Sequence, residues 1–168
     1  METHTSNFRY DSYCGLYCGA CDILNVYKRH REYGTTPQWA ALPEPLQKHV
    51  PHGTIECHGC KSDIVFIGCR KCPYKDCARK RQVESCLTCD KYPCMIHHIA
   101  NIVKKLLRIE RKLPHLQCIP ENRAAIAQYG MAEWLIQQEQ HWKCPQCGTS
   151  VTWYQRQCEE CGTALEAY

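Results

Sequence analysis

Cysteine carries the chemistry of this chain: sixteen of its 168 residues are thiols. CGLYCGAC opens the series, with Cys14, Cys18 and Cys21 at C-x-x-x-C-x-x-C intervals. Three thiolates so placed can hold three irons of a [4Fe–4S] cluster, leaving the fourth iron open for S-adenosylmethionine. The pairs Cys57/Cys60, Cys69/Cys72 and Cys86/Cys89 follow, with Cys77 and Cys94 standing singly. Two C-x-x-C-G units, Cys144/Cys147 and Cys158/Cys161, come last. Paired thiols at this spacing are the grammar of tetrathiolate metal sites.

A disulfide framework is the competing use of so many thiols, and it requires an oxidising compartment. METHTSNFRYDSY is polar and has no apolar h-region, and no stretch approaches a membrane span. The chain is therefore expected in the cytoplasm, with no membrane partner and its thiols free for metal. The formal charge of +4 counts every cysteine as neutral. A divalent ion on four thiolates leaves two negative charges, because the ligands must be deprotonated. Four such sites would turn the balance into an equal negative one, so net charge is no argument for a polyanionic partner.

The elements that must position these ligands divide the chain into three. Residues 10–95 are a cysteine-rich core punctuated by glycine and proline. DILNVYKRHREYG (22–34) is expected to be a helix ending at Gly34, TPQWAALPEPLQKHVP (36–51) a helical turn broken by prolines, and IVFIGC (64–69) a short strand. Residues 96–142 are helical. Ile99, Ile102, Val103, Leu106, Leu107 and Leu113 recur at helical spacing up to Pro114. Further helices are expected from Pro120 to Tyr129-Gly130 and over 131–142, the last placing Met131, Trp134, Leu135, Gln138 and Trp142 on one side. These stripes are expected to pack on the core. Residues 143–168 read as a zinc ribbon: two knuckles joined by TSVTWYQRQ as the strand of a hairpin. The expected class is a small metal-stabilised α+β fold with an irregular cysteine-rich core, a helical layer and a C-terminal zinc-ribbon hairpin.

CGLYCGACDI, ECHGC and GCRKCPYKDCARKRQVESCLTCDKYPC together resemble the cysteine-rich domain of unknown function 3795, found in bacteria and archaea, many of them anaerobes. The likeness covers the order and spacing of eleven core cysteines, Cys14 to Cys94, including the C-x-x-C-x-x-Tyr-Pro-Cys ending. Some members of that family also carry a helix like YGMAEWLIQQEQHW leading into a ribbon. The resemblance implies metal binding by the eleven and no particular activity. Cys118 lies outside the motif.

Ligand type alone does not choose the metal of the core, since four thiolates suit zinc and iron–sulfur clusters alike. Zinc is expected in the ribbon, and either zinc or [4Fe–4S] in the core. Cys57/Cys60 can join Cys69/Cys72, and Cys77 and Cys94 can join Cys86/Cys89. The triplet then needs a fourth ligand from Cys118, His58, His97 or His98. Consecutive and interleaved partitions both remain open at this stage.

A radical enzyme needs a β/α barrel, and residues 22–141 show no strand–helix alternation. Nucleophile elbow, P-loop and dinucleotide fingerprint are absent, and Asp22, Asp63, Asp76 and Asp90 are scattered. Binding is thus expected in place of catalysis: a zinc-stabilised scaffold with a protein partner. The alternatives are an iron–sulfur redox or electron-transfer protein and a metal-handling protein with one incomplete site. RKCPYKDCARKRQ (70–82) and the basic face of the 96–113 helix keep nucleic acid as a second-choice partner.

Overall fold

A computed structural model describes residues 8–166, and every element in it is a helix or a turn. Helix α1 (Asp22–Glu32) starts directly after Cys21. Asp22 stands in its first turn and Arg29, His30 and Arg31 in its last, the order that the helix dipole favours. Gly34 at φ +63° follows its end, as the sequence predicts. Trp39–Ala41 forms a 3₁₀ turn and α2 (Glu44–His49) a short helix, the broken segment expected from the prolines.

IVFIGC does not form a strand: α3 (Ile67–Arg70) occupies its second half. His58 N–H donates to Ile64 O at 2.8 Å, but no β-bridge forms at 64–69, and a strand without a ladder leaves its amides unpaired. The turn instead wraps the chain from Cys69 to Cys72. α4 (Pro73–Arg81) begins with proline in its first turn, where no amide is needed.

Pro114 does stop the next helical region, but it is two helices, α5 (Met95–Leu106) and α6 (Ile109–Lys112), divided at Arg108 in the left-handed region. After a 3₁₀ turn over Pro114–Cys118, α7 (Ile119–Tyr129) and α8 (Met131–His141) form a helical hairpin about Gly130. Gly130 at φ +83° donates to Ile126 and accepts from Trp134, ending one helix and starting the next with no intervening loop.

The hairpin expected over 143–168 is absent from the described residues of that segment. Two isolated antiparallel bridges, Lys143 with Ser150 and Gln157 with Ala164, are the only strand-like pairings among the described residues. The fold is therefore helical with irregular connections, not α+β. The residues between the knuckles spend their polar groups elsewhere. Trp153 N–H donates to Ala20, Val151 N–H to Trp142, and the Thr152 hydroxyl to Asp22 Oδ1 at 2.6 Å.

Two apolar clusters hold the chain. One joins Tyr17 and Ala20 to Ile126, Trp134, Trp142, Val151 and Trp153, and includes Cys144 and Cys158. The other gathers Ile23, Leu24, Leu42, Leu46, Ile55, Cys57 and Phe66. Tyr10, Cys21 and Tyr154 touch both. The α8 stripe packs as expected through Trp134 and Trp142, but the α5 stripe does not: Ile99, Ile102, Val103, Leu106 and Leu107 are exposed.

Candidate metal centres

Each C-x-x-C-G-T unit folds into the same turn. Cys144 N–H donates to Thr149 O and Gly148 N–H to Cys144 O; Cys158 N–H donates to Thr163 O and Gly162 N–H to Cys158 O, all at 2.8–2.9 Å. Gly148 and Gly162 sit at φ +74° and +72°, which a side chain would strain. The two turns face each other. Cys144 Sγ lies 3.5 Å from Cys161 Sγ, Cys147 Sγ lies 3.5 Å from Cys158 Sγ, and all four sulfurs fall within 4.8 Å of one another.

That arrangement can hold a metal ion. A tetrahedral ion with sulfur ligands at about 2.3 Å needs sulfurs about 3.8 Å apart. The first cysteine of each turn, Cys144 and Cys158, is buried in the apolar cluster, while Cys147 and Cys161 face outward. Thr149 stands beside Cys147 at 3.4 Å and Thr163 beside Cys161 at 3.2 Å. Hydrogen bonds from the Thr149 side chain and backbone favour the Cys147 thiolate, bringing its pKa down to about 6; Thr163 lowers that of Cys161 in the same way. The threonine after each knuckle glycine is a role that sequence reading missed, although the repeated C-G-T was visible.

The core cysteines form two neighbourhoods that interleave along the chain. In the first, Cys60, Cys21 and Cys57 all act electrostatically on Cys18, and Cys57 and Cys69 act on Cys21. In the second, Cys14, Cys77 and Cys94 act on Cys86. A backbone bond from Cys86 N–H to Tyr13 O at 2.9 Å fastens this group. Cys60, Cys69 and Cys72 all feel Cys14, which links the two groups. Within the opening triplet, Cys18 and Cys21 are grouped with Cys57, while Cys14 acts on members of both neighbourhoods.

Backbone amides point at these sulfurs: Cys60 at Cys18, Leu24 at Cys21, Tyr13 at Cys60, Tyr74 and Lys75 at Cys72, and Gly59 N–H to Cys57 Sγ at 3.4 Å. Such bonds orient and stabilise metal-bound thiolates. Burial pushes the Cys18 and Cys21 thiols well above the ordinary value, and Cys60, Cys69 and Cys86 up to about 12. Without a cation these thiols stay protonated; a bound metal supplies the charge that ionises them. Among the described residues, the 144/147/158/161 group is the one set of potential ligand atoms that could hold a single metal ion.

Two cations face the core: Arg123, which sequence reading passed over, and Lys75, which belongs to the basic stretch 70–82. Arg123, on α7, donates from Nε to Cys14 O at 2.9 Å, lies over the rings of Tyr74 and Tyr92, and acts electrostatically on Cys86. Lys75, buried on α4, acts on Cys60. No local pattern marks Arg123, since its partners are remote in sequence.

The remaining candidates are placed as follows. Cys89 lies 3.8 Å from Arg81 Nη1 and 3.6 Å from Asp90 Oδ1. Cys118 Sγ contacts His115 O at 3.0 Å and accepts from Asn122 Nδ2. His97 is buried between Tyr74 and Tyr92 with Nδ1 3.4 Å from Cys94 Sγ, whereas His98 is exposed. His58 Nε2 meets Arg31 at 3.2 Å and the Tyr27 hydroxyl at 3.4 Å.

No helix among the described residues is long and apolar enough to cross a membrane. No curated protein and no solved structure matches the chain. The family described as "Protein of unknown function (DUF3795)" matches residues 10–98, from the opening triplet to the first turn of α5.

Proposed function

The chain belongs to the DUF3795 family, and from that membership and its thiol geometry we propose that it is a metal-thiolate binding protein, a scaffold whose C-terminal four-cysteine centre holds one structural zinc ion. The observation that carries this reading is the meeting of four sulfurs from two matched turns, with cross-turn spacings of 3.5 Å. Zinc suits the site because it takes four sulfur ligands tetrahedrally, needs no redox change, and leaves no open position when all four come from protein. Metal binding here is also folding energy, because the turns have one bridge each and no sheet to support them.

The core supports a second metal reading. Its thiols influence one another, yet no three of them reach single-ion spacing. Ligand sulfurs of a [4Fe–4S] cluster stand further apart than those of one zinc ion, because the irons lie between them. We infer that the core is the place for iron–sulfur clusters: one on Cys18, Cys21, Cys57 and Cys69, and one on Cys14, Cys77, Cys86 and Cys94. Arg123 and Lys75 would offset the negative charge such centres carry. The protein's role is then binding or electron transfer through these centres, with a protein partner.

Elemental analysis of protein purified without oxygen, read beside its visible spectrum, tests both readings. One zinc per chain that Cys158→Ser removes is the result expected at the C-terminal centre, and absence of zinc overturns that assignment. Iron with acid-labile sulfide and broad visible absorption is the result expected for the core. A colourless protein with several further zinc ions overturns the iron–sulfur reading and leaves the scaffold reading standing.

A further inference from the structure

Helix α5 is inverted. Its apolar stripe points away from the body of the protein, and its inward side carries His97, which is 3% exposed, and Lys104. Met95, Ile99, Ile102 and Leu106 are 70%, 54%, 58% and 75% exposed, with Val103 and Leu107 beside them at 41% and 55%. Among the described elements α5 packs substantially only on its own continuation, α6. Six large aliphatic side chains in one strip expose on the order of 600 Å², the upper end for a monomer's largest apolar patch.

The pattern within the strip says what covers it. Met95, Ile99, Ile102 and Leu106 recur at intervals of four, three and four residues, the spacing of a seam between two helices. The charges then choose the orientation. Lys105, Arg108, Arg111 and Lys112 are exposed at the C-terminal end, while Lys104 is already paired with Glu110 at 3.4 Å. A parallel second copy would bring the two cation groups together. An antiparallel copy separates them by roughly the 18 Å length of the helix, beyond the Debye length of about 8 Å in physiological salt.

We propose that α5 is the interface of a symmetric homodimer, in which two copies pack this helix antiparallel, with Met95 against Leu106 and Ile99 against Ile102 of the second copy. The strip is self-complementary under a two-fold axis, as a closed dimer requires. At roughly 600 Å² per partner, about 1,200 Å² in total, the strip meets the lower bound of specific, stable interfaces. The proposal does not depend on which metals the cysteines hold.

Sedimentation velocity on the full chain as purified, at tens of micromolar, tests it. The expected result is a particle of twice the 19.5 kDa chain mass. Ile99→Glu alone and Ile102→Lys alone are each expected to raise the dimer dissociation constant at least about 100-fold, since each buries a charge against an aliphatic partner twice per dimer. Mixing the two variants is expected to restore a dimer, because only the antiparallel pairing sets the introduced carboxylate of one chain opposite the introduced ammonium of the other. Both positions are more than half exposed, so circular dichroism and metal content should match the unsubstituted protein. A monomer at these concentrations overturns the proposal, whether or not it binds anionic vesicles through the same strip. A dimer indifferent to Ile99→Glu, or variants that fail to recombine, also overturn it.

Discussion

Replacing one sulfur at a time in the C-terminal centre should separate its two kinds of ligand. Apparent binding energies for structural zinc in small domains are about 10–16 kcal/mol. Shared over four ligands, each sulfur accounts for roughly 3 kcal/mol on that scale. Cys161 is exposed, so in Cys161→Ser water can take the vacated position and the loss should stay near that figure. Cys158 is 2% exposed and belongs to the apolar cluster with Trp134 and Trp153. Cys158→Ser also leaves a buried hydroxyl without its partner, which adds about 1–3 kcal/mol. The combined loss of about 4–6 kcal/mol is a large share of the roughly 5–15 kcal/mol by which domains are stable. Guanidinium unfolding followed by far-ultraviolet dichroism, with released zinc counted by a chromogenic chelator, measures both variants. Cys158→Ser should be the more damaging and should loosen the α7–α8 hairpin as well. Equal effects, confined to residues after 142, would refute the reasoning, since they would mean that the centre is an independent appendage.

Trp134→Ala should cost about 3–5 kcal/mol as a large cavity in the first cluster. Trp134→Phe should cost far less, because the buried Nε1 has no hydrogen-bond partner and its loss removes a desolvated donor; thermal unfolding compares the two. His115 is buried against Trp153, bonded to the Tyr154 hydroxyl at 2.6 Å, and held by burial at a pKa of about 3. The unfolded chain takes up that proton near pH 6.5 and the folded one does not. The contribution is therefore complete above about pH 6.5 and is lost as pH falls toward about 3, by as much as about 5 kcal/mol. Titrating stability over that interval in His115→Phe should give a flatter profile than in the unsubstituted protein. Arg123→Met removes the bond to Cys14 O and the charge facing the second thiol neighbourhood. A loss of about 2 kcal/mol with lower core metal occupancy is expected, read by unfolding and elemental analysis.

Some of these residues are within reach of sequence reasoning and others are not, for definite reasons. The α1 helix, the proline-broken segment after it and the α7–α8 hairpin follow from periodicity, proline and glycine, which act within a few residues. TSVTWYQRQ has the composition of a strand, but a strand needs a neighbour. Here its amides and hydroxyls bond to Ala20, Trp142 and Asp22, so local propensity is overruled by partners far along the chain. IVFIGC has a single backbone bond from His58 to Ile64 and likewise lacks the ladder a strand needs. The α5 stripe reads as amphipathic, which it is, and as buried, which it is not, because periodicity reports that a face is apolar and not what covers it.

By itself the sequence determined that this is a thiol-rich chain with thiols at metal-ligand spacing, that its last four cysteines form two matched turns, and where most of its helices run. Those properties reside in spacings of two to four residues, short enough for covalent geometry to enforce. Only the tertiary structure decided which thiols meet. It grouped Cys18 and Cys21 with Cys57, set Arg123 against Cys14, buried Cys144 and Cys158 among tryptophans, and turned the α5 stripe outward. Each of these depends on contacts between residues tens of positions apart. Long-range packing selects them from many pairings that the local spacings permit equally.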